Sequence, residues 1–203
     1  MLSEQIQRTI VQACVTVTKR GGRGVLVPGN LVLTAAHCVT YTTDGAMVLG
    51  DPFIEELQTT QGLVKVRSLA VEPVADIAVL GALDEYDAFE AWCAHTSPVP
   101  LCVQDFPLLE PFPVYIFTHT EQWIQARATL IRTDLPSIWA KVPEQIEGGT
   151  SGSPIVTERG ELSGIVSNTG SGPHQAHCDV MAPRPHLTLP GWVIRRILAE
   201  QTP

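Results

Sequence analysis

Ser151 lies in the run Gly148-Gly149-Thr150-Ser151-Gly152-Ser153-Pro154, ahead of the apolar pair Ile155-Val156. Glycines flank a nucleophile where the backbone must turn sharply and a substrate must come close. A turn this tight can aim its own N–H groups at one point, which is what stabilising an oxyanion requires. Glycine and serine also dominate ordinary turns, so this run alone leaves a reactive site and a strand-to-strand turn equally open. A serine hydroxyl is a poor nucleophile near neutral pH. It needs a base within hydrogen-bond reach, and the base needs an orienting acceptor. His37, in Thr34-Ala35-Ala36-His37-Cys38, follows the apolar run Leu31-Val32-Leu33. Asp76 heads Asp76-Ile77-Ala78-Val79-Leu80. The order His, Asp, Ser, 39 and then 75 positions apart, supplies base, orienter and nucleophile.

Each role has rivals. Ser153 competes with Ser151. Asp44, Asp51, Asp84 and Asp87 match Asp76 by type, but none opens a comparable apolar run. His95, His119, His174, His177 and His186 read as core or surface histidines. His174, His177 and Cys178 are spaced as metal ligands could be, yet no second cluster accompanies them, so no metal is expected. The glycine-rich Lys19–Gly24 stretch is read as a turn. A phosphate-cradling loop should open a helix, and Val25-Leu26-Val27 follows instead.

The elements that must position these groups are short strands. Sixteen Gly and sixteen Pro imply many turns, and hydrophobic residues at 44% suffice for a core. A polar arm or short helix over residues 1–8 precedes a first strand from Ile10 to Thr18. The next strands are predicted at 25–27, at the run ending in His37, at Ala46–Leu49, Leu63–Val71 and 77–80, with Asp51–Gln61 as a loop. Asp84–Ala94 reads as a partly helical connector. A second set follows at Pro113–Phe117, Trp123–Ile131, Ile138–Val142, Pro154–Val156, Leu162–Val166 and Val180–Ala182. Leu189-Pro190-Gly191-Trp192 opens a final helix, with Trp192, Ile194, Ile197 and Leu198 on one face.

The motifs T-A-A-H-C, D-I-A-V-L and G-T-S-G-S-P, in this order, resemble those of the chymotrypsin-like (trypsin-fold) serine proteases. The resemblance runs from about Val11 to the C-terminal helix and is nearest to bacterial trypsin-like peptidases without a PDZ domain. It implies an all-β fold of two six-stranded Greek-key β-barrels with a C-terminal α-helix. Residues 1–95 would form the barrel carrying His37 and Asp76, and residues 96–203 the barrel carrying Ser151, the oxyanion hole and the helix. It implies His37 as general base, Asp76 as its orienter and Ser151 as nucleophile, with Ser153 in a tolerated small position. The Gly149 and Ser151 N–H groups would form the oxyanion hole. Gln145, Ser167, Asn168 and Thr169 would line the substrate pocket. Gln145 replaces the aspartate of trypsins, and Asp179 stands where it could receive a basic P1 side chain or serve as an exposed turn residue. Thr150 replaces the acidic residue with which a freshly cut N-terminus pairs in trypsins.

Composition narrows the setting. A formal charge of −8 disfavours nonspecific nucleic-acid binding. The N-terminal residues begin no secretory signal, and no stretch is long enough to cross a membrane. In secreted relatives the cysteine after the histidine pairs with one about sixteen residues upstream, which here is Gly22. Another common cysteine position is Glu147. Five cysteines without these partners suit a reducing cytoplasm. The expected protein is a serine endopeptidase acting on protein or peptide substrates, with a regulatory protein partner, no cofactor, no nucleic acid and no membrane. A catalytically silent binding module on the same fold and an esterase using the same three residues are the alternatives.

Overall fold

The computed structural model describes residues 2–40, 48–49, 54–73, 76–84, 87–102, 108–132, 137–141, 146–167 and 184–188. Helix α1 (Glu4–Ala13) comes first, then strands β1 (Cys14–Val17), β2 (Arg23–Val27), β3 (Leu31–Thr34), β4 (Val48–Leu49), β5 (Ile54–Thr59), β6 (Gly62–Glu72) and β7 (Ile77–Gly81). Helix α2 (Asp87–Ala94) leads to β8 (Pro111–Phe117), β9 (Trp123–Arg132), β10 (Ser137–Lys141), β11 (Pro154–Val156), β12 (Leu162–Ile165) and β13 (Arg184–Thr188).

In the first half β1, β2, β3, β7, β6 and β5 pair in a ring, because β6 bonds to β7 as well as to β5; the short β4 adds to β6. In the second half β8, β9, β10, β13, β12 and β11 close a barrel. Numbering six strands within each ring gives the same circular order twice, 1-2-3-6-5-4. Closure removes the exposed edges that would otherwise invite aggregation. The strands nearest the site are buried along their whole length and, Arg23 and Thr34 apart, apolar: Arg-Gly-Val-Leu-Val in β2, Leu-Val-Leu-Thr in β3 and Ile-Ala-Val-Leu-Gly in β7. One hydrophobic cluster joins residues of both barrels, with Val25, Leu33 and Val79 alongside Tyr115, Phe117, Val156 and Ile165.

Three sequence-based expectations change. The first strand begins at Cys14, not Ile10, because the helix continues to Ala13. Ser3 caps it by accepting the Ile6 N–H at 3.3 Å, and Ile6, Ile10 and Ala13 recur at helical spacing along one face. Residues 54–59, expected in a loop, form β5. Its inward positions are Glu55, Leu57 and Thr59, so a buried carboxylate made a half-buried strand look polar. Glu55 Oε1 accepts the Thr40 N–H at 2.8 Å, and Lys19 Nζ stands 4.0 Å from Oε2, which has no hydrogen-bond partner among the described residues. Finally, β13 at Arg184–Thr188 completes the second barrel where no strand was expected. The connector helix is present as α2. The strand expected at Val180–Ala182 and the C-terminal helix lie outside the described residues.

Candidate active site

Strand register brings His37 and Asp76 together. Thr34 of β3 pairs with Ala78 of β7. His37 stands three residues past Thr34, in a single 3-10 turn (Ala36–Cys38), and Asp76 two residues before Ala78, so both emerge from the same end of adjacent strands. Asp76 has φ +49°, a left-handed conformation that aspartate tolerates better than most residues. Its carboxylate accepts the His37 backbone N–H at 3.0 Å and faces Nδ1 at 3.0 and 2.8 Å. A carboxylate only accepts, so in the neutral imidazole the proton belongs on Nδ1 and the lone pair on Nε2. That is the tautomer a base needs.

The second barrel builds a matching pair. Pro154 of β11 pairs with Ile165 of β12, which sets Ser151 beside Ser167. The Ser151 hydroxyl donates to the Ser167 carbonyl at 3.3 Å. The Ser167 hydroxyl crosses to the other barrel and donates to Asp76 Oδ2 at 2.5 Å. Ser167, expected in the pocket wall, thus joins the aspartate to the serine. No hydrogen bond links His37 to Ser151 among the described residues. Ser153 is fully buried and its hydroxyl has no partner among the described residues, so this rival is closed off from substrate. Of the rival acids, Asp84 pairs with Arg67 at 3.1 Å and Asp87 begins α2, while Asp44 and Asp51 lie outside the described residues.

The nucleophile turn is anchored from below by β2. Arg23 N–H donates to the Ser151 carbonyl at 2.7 Å, and Gly152 N–H to Val166 O at 2.6 Å. Gly149 and Gly152 have φ of +91° and +80°. Neither the Gly149 nor the Ser151 N–H is engaged in a hydrogen bond among the described residues. The hydrogen bond to Asp76 raises the His37 imidazole above its ordinary value, aided by the neighbouring Cys38 thiol and opposed by burial. Burial pushes Asp76 upwards, but the hydrogen bonds from His37 and Ser167 outweigh it and leave the carboxyl below its usual range.

Cys38 is buried with its Sγ 3.8 Å from the Ser151 carbonyl. A Cβ on Gly22 would stand 2.4 Å from that sulfur, so Gly22 does lie opposite Cys38 in space. Cys14, Cys38 and Cys93 are free thiols. Among the described residues no group of His, Cys, Asp or Glu is placed to hold a metal, and no helix is long and apolar enough to cross a membrane. Gln145, Asn168, Thr169 and Asp179 lie outside the described residues.

Two residues at the site had no signal in the sequence. Arg23 is buried, donates from its guanidinium to Thr118 O at 2.8 Å and stacks 4.6 Å from the Phe117 ring centroid. His119 contacts the loop ahead of Ser151. Both depend on pairings between distant segments that no local pattern encodes.

Residues 22–165 match the trypsin-like peptidase domain. No curated protein matches the sequence. Among solved structures, the chain is similar to the inactive form of the protease Rv3671c, with 16% identity, a TM-score of 0.56, and coverage of 98% of this chain and 93% of that one. The active form of Rv3671c from M. tuberculosis gives 17% identity and a TM-score of 0.56, covering 96% and 83%. A serine endoprotease from Yersinia pestis gives 16% and 0.58, covering 97% of this chain and 65% of that one. At these identities the likeness shows the fold, chymotrypsin-like with two β-barrels.

Proposed function

The chain belongs to the trypsin-like peptidase domain family, and from that premise we propose that it is a serine endopeptidase working through a Ser151–His37–Asp76 triad. The observation that carries this reading is the Asp76 carboxylate on Nδ1 of His37, which leaves Nε2 as the free base. Ser151 Oγ attacks the scissile carbonyl and passes its proton to Nε2. The tetrahedral oxygen is held by the unengaged N–H groups of Gly149 and Ser151. His37 then protonates the leaving amine, and a water molecule repeats the sequence to release the acyl group. In the resting site the Ser151 hydroxyl rests on the Ser167 carbonyl. A rotation about its χ1 bond turns it towards His37, in keeping with the loose geometry of unliganded sites.

A basic P1 side chain, received by Asp179 beside a neutral Gln145, is supported by the sequence alone. A reducing compartment is supported by the free Cys38 facing Gly22. The missing His37–Ser151 hydrogen bond favours one competing reading, a silent binding module. A fluorophosphonate probe separates the two. Wild type should be labelled, and Ser151→Ala and His37→Ala should not; an unlabelled wild type would overturn the enzyme. Cleavage of a peptide library, read by mass spectrometry, then distinguishes an endopeptidase from an esterase.

A further inference from the structure

We propose that His119 is a positioning residue for the oxyanion loop, acting through Thr150; this rests on the peptidase reading above. Residues 118–122 form the turn between β8 and β9, closed by Thr118 N–H to Gln122 O at 2.9 Å and Glu121 N–H to Thr118 O at 3.0 Å. From this turn His119 reaches the loop ahead of the nucleophile. Its Nδ1 lies 3.1 Å from Thr150 Oγ1, and its backbone N–H donates to the same oxygen at 3.4 Å. Its Nε2 stands 3.6 Å from Glu147 Oε2. Its side-chain atoms pack 3.5–3.6 Å from where a Cβ on Gly149 would be. One imidazole therefore meets Glu147, Gly149 and Thr150.

The hydrogen positions agree with such a clamp. Thr150 Oγ1 accepts the His119 N–H and gives its own proton to Nδ1. The ring proton then sits on Nε2, facing a carboxylate that only accepts. Thr150 is fully buried, so its hydroxyl must be satisfied inside the protein and cannot meet substrate. Its role is positional.

The loop needs holding. Glu147, Gly148 and Gly149 are exposed, and Gly149 sits at φ +91°. The backbone bond across the turn, Thr150 N–H to Glu147 O, is long at 3.4 Å. Yet this loop carries the Gly149 N–H, which must point at the developing oxyanion to be useful. The clamp is itself anchored, since Arg23 ties Thr118 O to the first barrel.

The test is inactivation by a fluorophosphonate, resolved into the maximal rate kinact and the binding constant KI, with melting temperature measured in parallel. His119→Ala should lower kinact about tenfold to a hundredfold, as a slight misplacement of catalytic groups does. KI and melting temperature should stay near wild type. His119→Asn keeps an acceptor near the Nδ1 position for the Thr150 hydroxyl and should recover most of the loss. Thr150→Val should match His119→Ala, and the double variant should be no worse than either, because both break one contact. A His119→Ala protein inactivated at the wild-type rate overturns the role. So does an Asn variant that loses as much as Ala and melts lower, which would mark a structural residue. A wild type that never reacts overturns the peptidase reading, and this role falls with it.

Discussion

Gly152→Ala is the most informative single perturbation of the site's scaffold. Gly152 follows the nucleophile at φ +80°, and a Cβ there would stand 1.9 Å from the Arg23 carbonyl oxygen and 2.5 Å from Thr34 Oγ1. Those two atoms are already hydrogen-bonded to each other at 2.6 Å. A left-handed β-carbon costs roughly 1–2 kcal/mol, overpacking adds about 1–3 kcal/mol, and losing the Thr34 bond adds roughly 0.5–1.5 kcal/mol. The sum, about 3–6 kcal/mol, is a large share of the roughly 5–15 kcal/mol that holds a protein folded. At about 2–4 °C per kcal/mol for a chain of this size, melting should fall by roughly 6–24 °C. Thermal unfolding by circular dichroism, in a Ser151→Ala background to prevent self-cleavage, reads this directly. Two controls separate the causes. Gly21 has φ +74° and open space, so Gly21→Ala carries only the backbone strain and should lose about 2–8 °C. Gly148 has neither a positive φ nor a neighbour within 4 Å, so Gly148→Ala should melt like the parent or slightly higher. A Gly152→Ala protein that melts with Gly148→Ala would refute the close approach of β2 to the nucleophile turn.

Because Asp76 raises His37 and the base must be neutral, the rate of fluorophosphonate labelling should climb with pH through an inflection above the ordinary imidazole value. In Asp76→Asn the residual rate should inflect at lower pH; an unmoved inflection would separate the pair. The same linkage gives a stability sign: the His37 contribution is complete below the unfolded histidine value and fades as pH rises through the raised folded one, while the Asp76 contribution is present above the unfolded aspartate value and is lost as pH falls through the lowered folded one. Dithiothreitol should leave the melting temperature nearly unchanged, because Cys14, Cys38 and Cys93 are free, and a drop of many degrees would expose a structural bridge. Cys14 and Cys93, pushed up to about 12 by burial, should resist iodoacetamide in the folded protein at neutral pH, as mass mapping would read. Asp179→Ala should lower kcat/KM on basic P1 peptides and spare small apolar ones; equal losses on both would assign Asp179 a structural role.

The legible parts of the chain were those encoded locally. β2, β3 and β7 are buried on both faces and read as continuous apolar runs. The glycines around Ser151 announced a tight turn, and two of them do adopt positive φ. What stayed hidden depends on partners distant in sequence. Glu55 looks like a loop residue until the Thr40 N–H binds one carboxylate oxygen and Lys19 draws near the other. β13 is a strand because β10 and β12 flank it, and its Arg-Pro-His-Leu-Thr has little alternation of its own. His119 resembles any turn histidine until the β8–β9 hairpin sets it against Thr150.

Register also explains why the site lies between the barrels. Each half prepares one pair by pairing adjacent strands: His37 with Asp76 across β3 and β7, Ser151 with Ser167 across β11 and β12. Neither pair is a nucleophile with its base. Only contacts between the barrels make them one site, and among the described residues these include Ser167 Oγ to Asp76, Arg23 N–H and Cys38 Sγ to the Ser151 carbonyl, and Arg23 Nη1 to Thr118 O. All are hydrogen bonds, which are directional and lose strength steeply when misaligned. The shared apolar cluster supplies cohesion without direction. A small slip of one barrel on the other would therefore separate the serine from its base. The demand for alignment falls on β2, whose Arg23 meets the nucleophile turn with its backbone and the His119 turn with its side chain.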